Sequence, residues 1–281
     1  MIAPGPATPT AVVVLGASNV SRGLSRLVAA VRSRTLRAGA APVGTAAAPS
    51  PCELFVAAGH GRSYGANSRV WMRRLPSILR CGLWRALDRR GFVADAPAAA
   101  GLQALVTDVG NDLLYGFPPE QVADWVRESI ARLASRSATI AITRLPLASI
   151  AGVGAFRYRL LRTLYVPGCP LELDDLKRAA GVLDAALVEI AREHAAFVIE
   201  QPGAWYGLDA MHPRRRHLAE LWDRACDAWR LGPAACRPRP SALEWALIGS
   251  RGAEVRSLAG AMRFTPQPVL RLHDSLQVSL F

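Results

Sequence analysis

Residues 11–37 read AVVVLGASNVSRGLSRLVAAVRSRTLR, a sequence that places a strand directly before a helix. The run 11–16 is short, continuously apolar and rich in valine, which is typical of a buried strand in a parallel sheet. From residue 20 to 37 apolar residues recur at helical spacing with arginines between them, which predicts an amphipathic helix. The segment therefore predicts the first strand–helix unit of an α/β domain.

The same order of strand and helix recurs along the chain. Further strands are predicted for residues 54–58, 102–107, 138–143 and 196–199. Further helices are predicted for residues 77–90, 120–135, 173–194 and 214–230. Five buried strands that alternate with helices imply a central five-stranded parallel sheet with helices on both faces. Ligands bind such sheets at the carboxyl ends of the strands, so unusual residues are expected there.

The domain organisation follows from the extent of this pattern. We expect a disordered N-terminus at residues 1–10, one α/β domain at 11–230 and an extension at 231–281. In the extension, apolar residues alternate and predict two strands that turn at His273 and Asp274, as a β-hairpin or as strands that join a partner. The alternating residues are Leu270, Leu272, Leu276, Val278 and Leu280. The long connection 147–171 is interpreted as a lid, a substrate wall or an irregular surface loop.

The composition is that of a globular protein, with 51% hydrophobic and 20% charged residues. No stretch reaches the roughly 20 apolar residues that a membrane span needs, and residues 1–15 do not resemble a signal peptide. The five cysteines are scattered, with no close pair at the spacing of zinc ligands. We therefore expect a soluble, cytoplasmic protein with reduced thiols and no metal.

The net charge of +12 raises nucleic acid as a partner, because a basic field attracts phosphate. However, Lys177 is the only lysine among the 34 basic residues, and with abundant alanine and glycine this indicates the codon bias of a GC-rich genome. The arginines are also dispersed and do not alternate with aromatic residues as in a stacking surface. We expect no nucleic-acid partner.

The first strand ends in Gly16-Ala17-Ser18-Asn19, so that a nucleophilic side chain stands at a helix N-terminus. The positive end of the helix dipole favours negative charge that develops on oxygen. The alternative is that Ser18 only caps the helix. Dinucleotide binding is a weaker alternative, because Gly23 comes too late to complete the glycine fingerprint.

Two more strand ends carry residues that could contact a ligand. Residues 59–65 read GHGRSYG, where glycines let main-chain N–H groups approach a ligand, although a ligand-free turn has the same composition. Residues 110–112 read GND and place a side-chain amide after the strand 102–107, although asparagine is common in turns.

The last strand end is followed by residues 209–213, which read DAMHP. Three residues of separation let the carboxylate of Asp209 accept a hydrogen bond from one imidazole nitrogen of His212. The other nitrogen is then free to take a proton from a serine. A structural Asp and His in a loop is the alternative.

Taken together, the serine, glycine, asparagine and Asp/His motifs resemble, in chain order, those of the SGNH (GDSL-like) hydrolase family. The resemblance covers roughly residues 11–230 and rests on residues 16–19, 61–63, 110–112 and 209–213. It implies a three-layer α/β/α flavodoxin-like fold and hydrolysis of a small-molecule ester without a metal or cofactor. Acyl transfer to another alcohol would use the same residues.

The resemblance also implies a role for each matched residue. Ser18 would be the nucleophile, His212 the general base and then acid, and Asp209 the residue that orients the imidazole. The oxyanion hole would consist of the N–H groups of Ser18 and Gly61 and the amide of Asn111, with Gly59 as the alternative to Gly61. Arg62 flanks this site and is a candidate for binding an anionic substrate.

Two positions depart from the family pattern. Ala17 stands where the family has aspartate, and Val109 stands where the third motif has glycine. The first departure removes a supporting carboxylate, and the second could shift Asn111. A catalytically silent binding protein of the same fold and a nucleotide-binding protein remain as alternatives.

Overall fold

The computed structural model describes residues 11–38, 52–95, 101–234, 246–248, 251–272 and 276–281. Its strands are β1 (Ala11–Leu15), β2 (Cys52–Ala57), β3 (Ser68–Val70), β4 (Arg73–Leu75), β5 (Leu102–Val106), β6 (Thr139–Thr143), β7 (Phe197–Ile199), β8 (Val255–Leu258), β9 (Ala261–Phe264), β10 (Leu270–Leu272) and β11 (Leu276–Leu280). Its α-helices are α1 (Ser18–Ala38), α2 (Leu83–Arg89), α3 (Asn111–Leu114), α4 (Pro119–Ala134), α5 (Leu147–Ala151), α6 (Ala155–Tyr165), α7 (Leu173–Glu193) and α8 (Arg215–Ala228).

The central sheet has the strand order β10-β11-β2-β1-β5-β6-β7. The five predicted strands pair in parallel, in the order typical of flavodoxin-like folds, and are five of its six parallel strands. The predicted strand number is wrong, because the sheet has seven strands: β11 pairs in parallel with β2, and β10 pairs antiparallel with β11. The turn at His273 and Asp274 lies outside the described residues, as do residues 1–10 and Cys236.

Helices cover both faces of this sheet, which confirms the predicted three-layer α/β/α fold. Alternate residues of β1 point to opposite faces, as the period of a strand requires. Ala11, Val13 and Leu15 belong to the core beneath α2, α4 and α7, whereas Val12 and Val14 belong to the core beneath α1 and α8. Every residue of β1 is fully buried, so the strand that leads to Ser18 is held rigidly from both sides.

Three segments differ from the sequence prediction. Residues 77–90 form a 3₁₀ turn at Ile78–Arg80 and the helix α2, because Cys81 between them is extended. The connection 147–171 is largely helical and contains α5 and α6. A second, antiparallel sheet with the order β3-β4-β8-β9 was not predicted, since its strands are only three or four residues long.

The described part of the chain was expected to have no membrane span and to have reduced cysteines. None of its helices combines the length and the apolar character needed to cross a bilayer. Its four cysteines, Cys52, Cys81, Cys169 and Cys226, are buried free thiols.

Candidate active site

Ser18, His212 and Asp209 are joined by two short hydrogen bonds. The Oγ atom of Ser18 lies 2.8 Å from Nε2 of His212, and Nδ1 of the same imidazole lies 2.7 Å from Oδ2 of Asp209. Ser18 is the first residue of α1, directly beyond the carboxyl end of β1, and 194 residues separate it from His212. The structure therefore brings the predicted nucleophile, base and orienting carboxylate into one line.

The carboxylate of Asp209 is fixed by more than the imidazole. Its Oδ1 atom accepts hydrogen bonds from the N–H groups of Met211 at 3.0 Å and His212 at 3.2 Å. Burial opposes ionisation of Asp209, but the hydrogen bonds and the charge of His212 outweigh it and hold the pKa of this carboxyl below its usual value. Asp209 is thus an anion that is hydrogen-bonded both to the imidazole of His212 and to the main chain.

A second carboxylate, Asp108, holds the turn that carries Ser18. One of its oxygens accepts the N–H groups of Ala17 and Asn19, each at 2.9 Å, and the other accepts the side-chain amide of Asn19 at 2.8 Å. Asp108 itself has a φ of 59°, a left-handed conformation that aspartate tolerates better than most residues. A carboxylate thus supports the turn that carries Ser18, although Ala17 provides none.

Sequence reasoning missed Asp108, although it follows the predicted strand 102–107 directly. An acidic residue at a strand end was the available signal. Its partners lie about 90 residues earlier in the chain, so no local spacing relates the two segments.

The main-chain N–H of Ser18, a predicted oxyanion donor, lies at the N-terminus of a long helix. Ser18 begins a helix of 21 residues, whose dipole makes this end positive. The N–H groups on either side of it bind Asp108, whereas no hydrogen bond within the described residues uses the N–H of Ser18 itself.

Gly61 adopts a conformation that requires glycine. Its φ is +68°, and a Cβ atom there would lie 2.4 Å from Cγ2 of Val70 and 2.8 Å from the hydroxyl of Tyr115. The Tyr115 hydroxyl donates a hydrogen bond to the Gly61 carbonyl at 2.8 Å. The alternative residue, Gly59, accepts the N–H of Arg62 at 3.0 Å.

The loop that contains Gly61 is attached to the carboxyl ends of the strands. The Tyr64 hydroxyl donates to the Thr107 carbonyl at 2.7 Å and lies 3.2 Å from the Leu15 carbonyl, at the ends of β5 and β1. The N–H of Tyr64 donates to Oδ2 of Asp112 at 3.0 Å. Burial raises the pKa of Asp112 to about 6, although its hydrogen bonds with Ser63 and Tyr64 favour the anion.

Asn111 begins α3, beside the residues that follow β5. Val109, which departs from the family pattern, is 2% exposed and packs into the core. Among the described residues no hydrogen bond uses the Asn111 side chain. Its amide is therefore not engaged by the rest of the described chain.

Arg62 lies elsewhere than predicted. Its side chain is buried, and its guanidinium donates to the main-chain oxygen of Phe281 and lies 3.4 Å from the carbonyl of Ala58. Burial lowers the pKa of this guanidinium. The prediction that Arg62 contacts the substrate is therefore wrong, because its side chain is buried. It connects the end of β11 to the loop after β2 and presents no charge to a ligand.

Tyr165, the last residue of α6, covers the imidazole. Its ring makes an edge contact with His212, with centroids 5.7 Å apart and planes at 66°. The charge of Asp209, together with partial burial, raises the pKa of Tyr165. Sequence reasoning left the segment 147–171 without a fixed structure and so did not connect Tyr165 with the site.

Gly23 supports no phosphate-binding loop. It lies inside α1, where a Cβ atom would be 2.9 Å from the indole of Trp222, and the indole N–H donates to its carbonyl at 3.2 Å. This glycine allows α1 and α8 to pack closely.

No family model and no curated protein matches the chain. Comparison with solved structures finds distant similarities. The psychrotrophic esterase EstA from Pseudoalteromonas sp. has 14% identity and a TM-score of 0.45, over 78% of this chain and 96% of that chain. TesA has 14% identity and a TM-score of 0.45, over 78% and 97%. A member of the lipolytic protein G-D-S-L family from Veillonella parvula has 12% identity and a TM-score of 0.41, over 77% and 95%.

Proposed function

We propose that the protein is a serine hydrolase of the SGNH type that cleaves, or transfers, the acyl group of a small-molecule ester. One observation carries the proposal: the continuous hydrogen-bonded line from Ser18 Oγ through the imidazole of His212 to Asp209, with distances of 2.8 and 2.7 Å. A serine hydroxyl is a weak nucleophile until an adjacent base removes its proton, and this line supplies that base.

In the acylation step, Ser18 Oγ attacks the ester carbonyl carbon while its proton passes to Nε2 of His212. The carbonyl π electrons move onto oxygen, and the resulting oxyanion accepts hydrogen bonds from the N–H groups of Ser18 and Gly61 and from the Asn111 amide. When the intermediate collapses, the bond to the alcohol oxygen breaks, and the proton on Nε2 moves to that oxygen. The imidazolium that exists between these events is stabilised by the Asp209 anion.

The deacylation step repeats this sequence with water. His212 takes a proton from the water that attacks the acyl group on Ser18, and it returns a proton to Ser18 Oγ as the carboxylic acid leaves. If another alcohol takes the place of water, the same residues transfer the acyl group. Apart from the ester and the attacking water or alcohol, each step uses groups that the described residues provide.

Labelling with a fluorophosphonate probe tests the nucleophile. We expect one labelled peptide, which contains Ser18, and no labelling of folded Ser18→Ala. Labelling of a different serine, or no labelling and no turnover of p-nitrophenyl esters by folded wild-type protein, would contradict the proposal.

His212→Ala with His217→Ala as its matched control tests the base. His217 lies in the neighbouring helix α8, where it stacks on Trp205 at 5.9 Å between centroids and lies 3.5 Å from Glu220. We expect His212→Ala to abolish turnover and His217→Ala to retain it. The reverse result would assign the base to His217 and remove His212 from the mechanism.

A further inference from the structure

A cavity of about 110 Å³ lies beside the carboxyl ends of β5 and β6. Its wall is mainly apolar. Val109, Leu113 and Leu145 contribute from the side of the sheet, Val153 and Leu161 from the segment of α5 and α6, and Ala180 from α7. Asn19, Asn111 and Met211 also line it, and these residues are the neighbour of Ser18, the predicted oxyanion donor and the neighbour of His212. The cavity therefore adjoins the proposed site of chemistry.

Three polar side chains of the wall, those of Tyr158, Gln201 and Tyr206, are already paired within the described chain. The Tyr158 hydroxyl donates to the Leu171 carbonyl at 2.5 Å, so only the apolar ring of Tyr158 is available to a bound ligand. The Tyr206 hydroxyl donates to Oε1 of Gln201 at 2.8 Å, and Nε2 of Gln201 donates to the carbonyl of Arg144 at 2.6 Å. An apolar guest would leave these groups paired, whereas a polar guest would find few free partners for its own groups.

The segment that encloses the cavity is longer than the fold requires. Strands and helices of α/β proteins are commonly joined by two to six residues, whereas α5 and α6 are inserted between β6 and α7. The buried side of α6 supplies Tyr158 and Leu161 to the cavity, and its last residue, Tyr165, covers His212. The inserted segment thus covers the imidazole of His212 and also forms part of the wall of the apolar cavity beside it.

We propose that this cavity binds the acyl chain of the substrate, and that the protein prefers esters of short, unbranched aliphatic acids from butanoyl to hexanoyl. This inference rests on the proposed function. A cavity of ~150 Å³ accepts benzene, so a cavity of about 110 Å³ suits roughly four or five carbon atoms beyond the carbonyl carbon. Acetyl groups would leave it largely unfilled, and chains of ten or more carbons would not fit.

The first measurement is kcat/KM for p-nitrophenyl esters from acetyl to dodecanoyl. Each buried CH₂ contributes about 0.8 kcal/mol, so kcat/KM is expected to rise about fourfold per carbon up to hexanoyl and to fall at decanoyl. A flat profile, or a maximum at acetyl or dodecanoyl, would overturn the inference and leave the serine hydrolase proposal intact.

The second measurement compares the same substitution at two positions of α7. Ala180 is 1% exposed and lines the cavity, whereas Ala185 is exposed on the same helix. Ala180→Leu is expected to lower the ratio of hexanoyl to acetyl kcat/KM at least tenfold, and Ala185→Leu to leave this ratio unchanged. If Ala180→Leu does not fold, Val153→Ala provides the opposite test, since a larger cavity should move the maximum toward longer chains.

Binding of hexanoic acid to Ser18→Ala, measured by calorimetry, separates the two proposals. Binding that is lost in Ser18→Ala/Ala180→Leu and retained in Ser18→Ala/Ala185→Leu would support the acyl site even if the wild-type protein hydrolysed no ester. Absence of hexanoic acid binding together with equal turnover of all chain lengths would overturn the acyl site. Turnover of no ester at all would overturn the serine hydrolase proposal by itself.

Discussion

The loop of Asp209 and the strand end of Asp108 each place a carboxylate near Ser18, but the two carboxylates have different partners. Asp209 accepts a hydrogen bond from the imidazole that would carry the moving proton, at 2.7 Å. Asp108 accepts main-chain N–H groups at 2.9 Å and the amide of Asn19 at 2.8 Å, none of which changes charge. A carboxylate next to a serine nucleophile therefore has one of two roles: it stabilises a charge that forms during the reaction, or it fixes the main chain. Replacing each aspartate by asparagine distinguishes these roles.

The largest effect is expected for Asp209→Asn. The amide oxygen is retained by the N–H groups of Met211 and His212, so the NH₂ group faces Nδ1 of His212 and donates to it. The imidazole is then held in the wrong tautomer, and the neutral amide cannot compensate the imidazolium. The equivalent change in a serine protease lowers kcat about 10⁴-fold, and we expect a similar loss here with a nearly unchanged melting temperature. A stopped ester assay and a thermal melt check this. A loss below tenfold would show that Asp209 does not act through His212.

The next effect is expected for Asn111→Ala. Its amide is proposed to bind charge that exists only in the transition state, so the loss should fall on kcat and not on KM. Removing one donor of this kind costs on the order of 100- to 1000-fold in rate. Unchanged turnover in a folded variant would mean that the oxyanion hole is formed without Asn111.

These residues also show how far the sequence predicts the site. Asp209 was predictable because it lies three residues from His212, within one turn. Asp108 was not, since its partners, Ala17 and Asn19, belong to a different strand–helix unit, and only the pairing of β1 with β5 brings them together.

The same difference between local and distant contacts applies to the prediction of the fold. Strands β1, β2, β5, β6 and β7 were predicted from their apolar runs. The second sheet was not predicted, because it pairs β4 with β8, which comes about 180 residues later in the chain. The burial of Arg62 was equally unpredictable, because its partner, the main chain of Phe281, lies 219 residues away. Local patterns thus specify elements and nearby pairs, and distant pairings specify the rest.

A third aspartate, Asp112, should control stability through its own titration. Its pKa is raised to about 6 by burial, from an ordinary value of 3.8. Because the folded state favours the neutral form, this contribution is fully present below pH ~4 and is lost as the pH rises through about 6. We expect the stability of wild type relative to Asp112→Asn to fall by about 1 to 3 kcal/mol between pH 4 and pH 7. Urea unfolding at both pH values measures this, and a difference that is independent of pH would contradict it.

The smallest effect, and the one that completes the comparison, is expected for Asp108→Asn. Asparagine tolerates the left-handed conformation of this residue, so the change adds little backbone strain. Its NH₂ group would face donors, either the N–H groups of Ala17 and Asn19 or the amide of Asn19, and would leave at least one of them without an acceptor. A buried donor without a partner costs about 1 to 3 kcal/mol.

For a chain of this size, that loss corresponds to a fall in melting temperature of about 2 to 4 °C per kcal/mol. Asp124→Asn is the matched control, because the Asp124 side chain is 74% exposed and, within the described ranges, pairs with Arg127 on the surface of α4. We expect Asp108→Asn to melt earlier than both the wild type and Asp124→Asn, with a smaller loss of kcat than Asp209→Asn, since the relay through His212 is intact. Asp108→Asn could instead melt like the control and lose as much activity as Asp209→Asn. Both carboxylates would then stabilise the charge that forms during the reaction, and the assignment of Asp108 to main-chain support would be wrong.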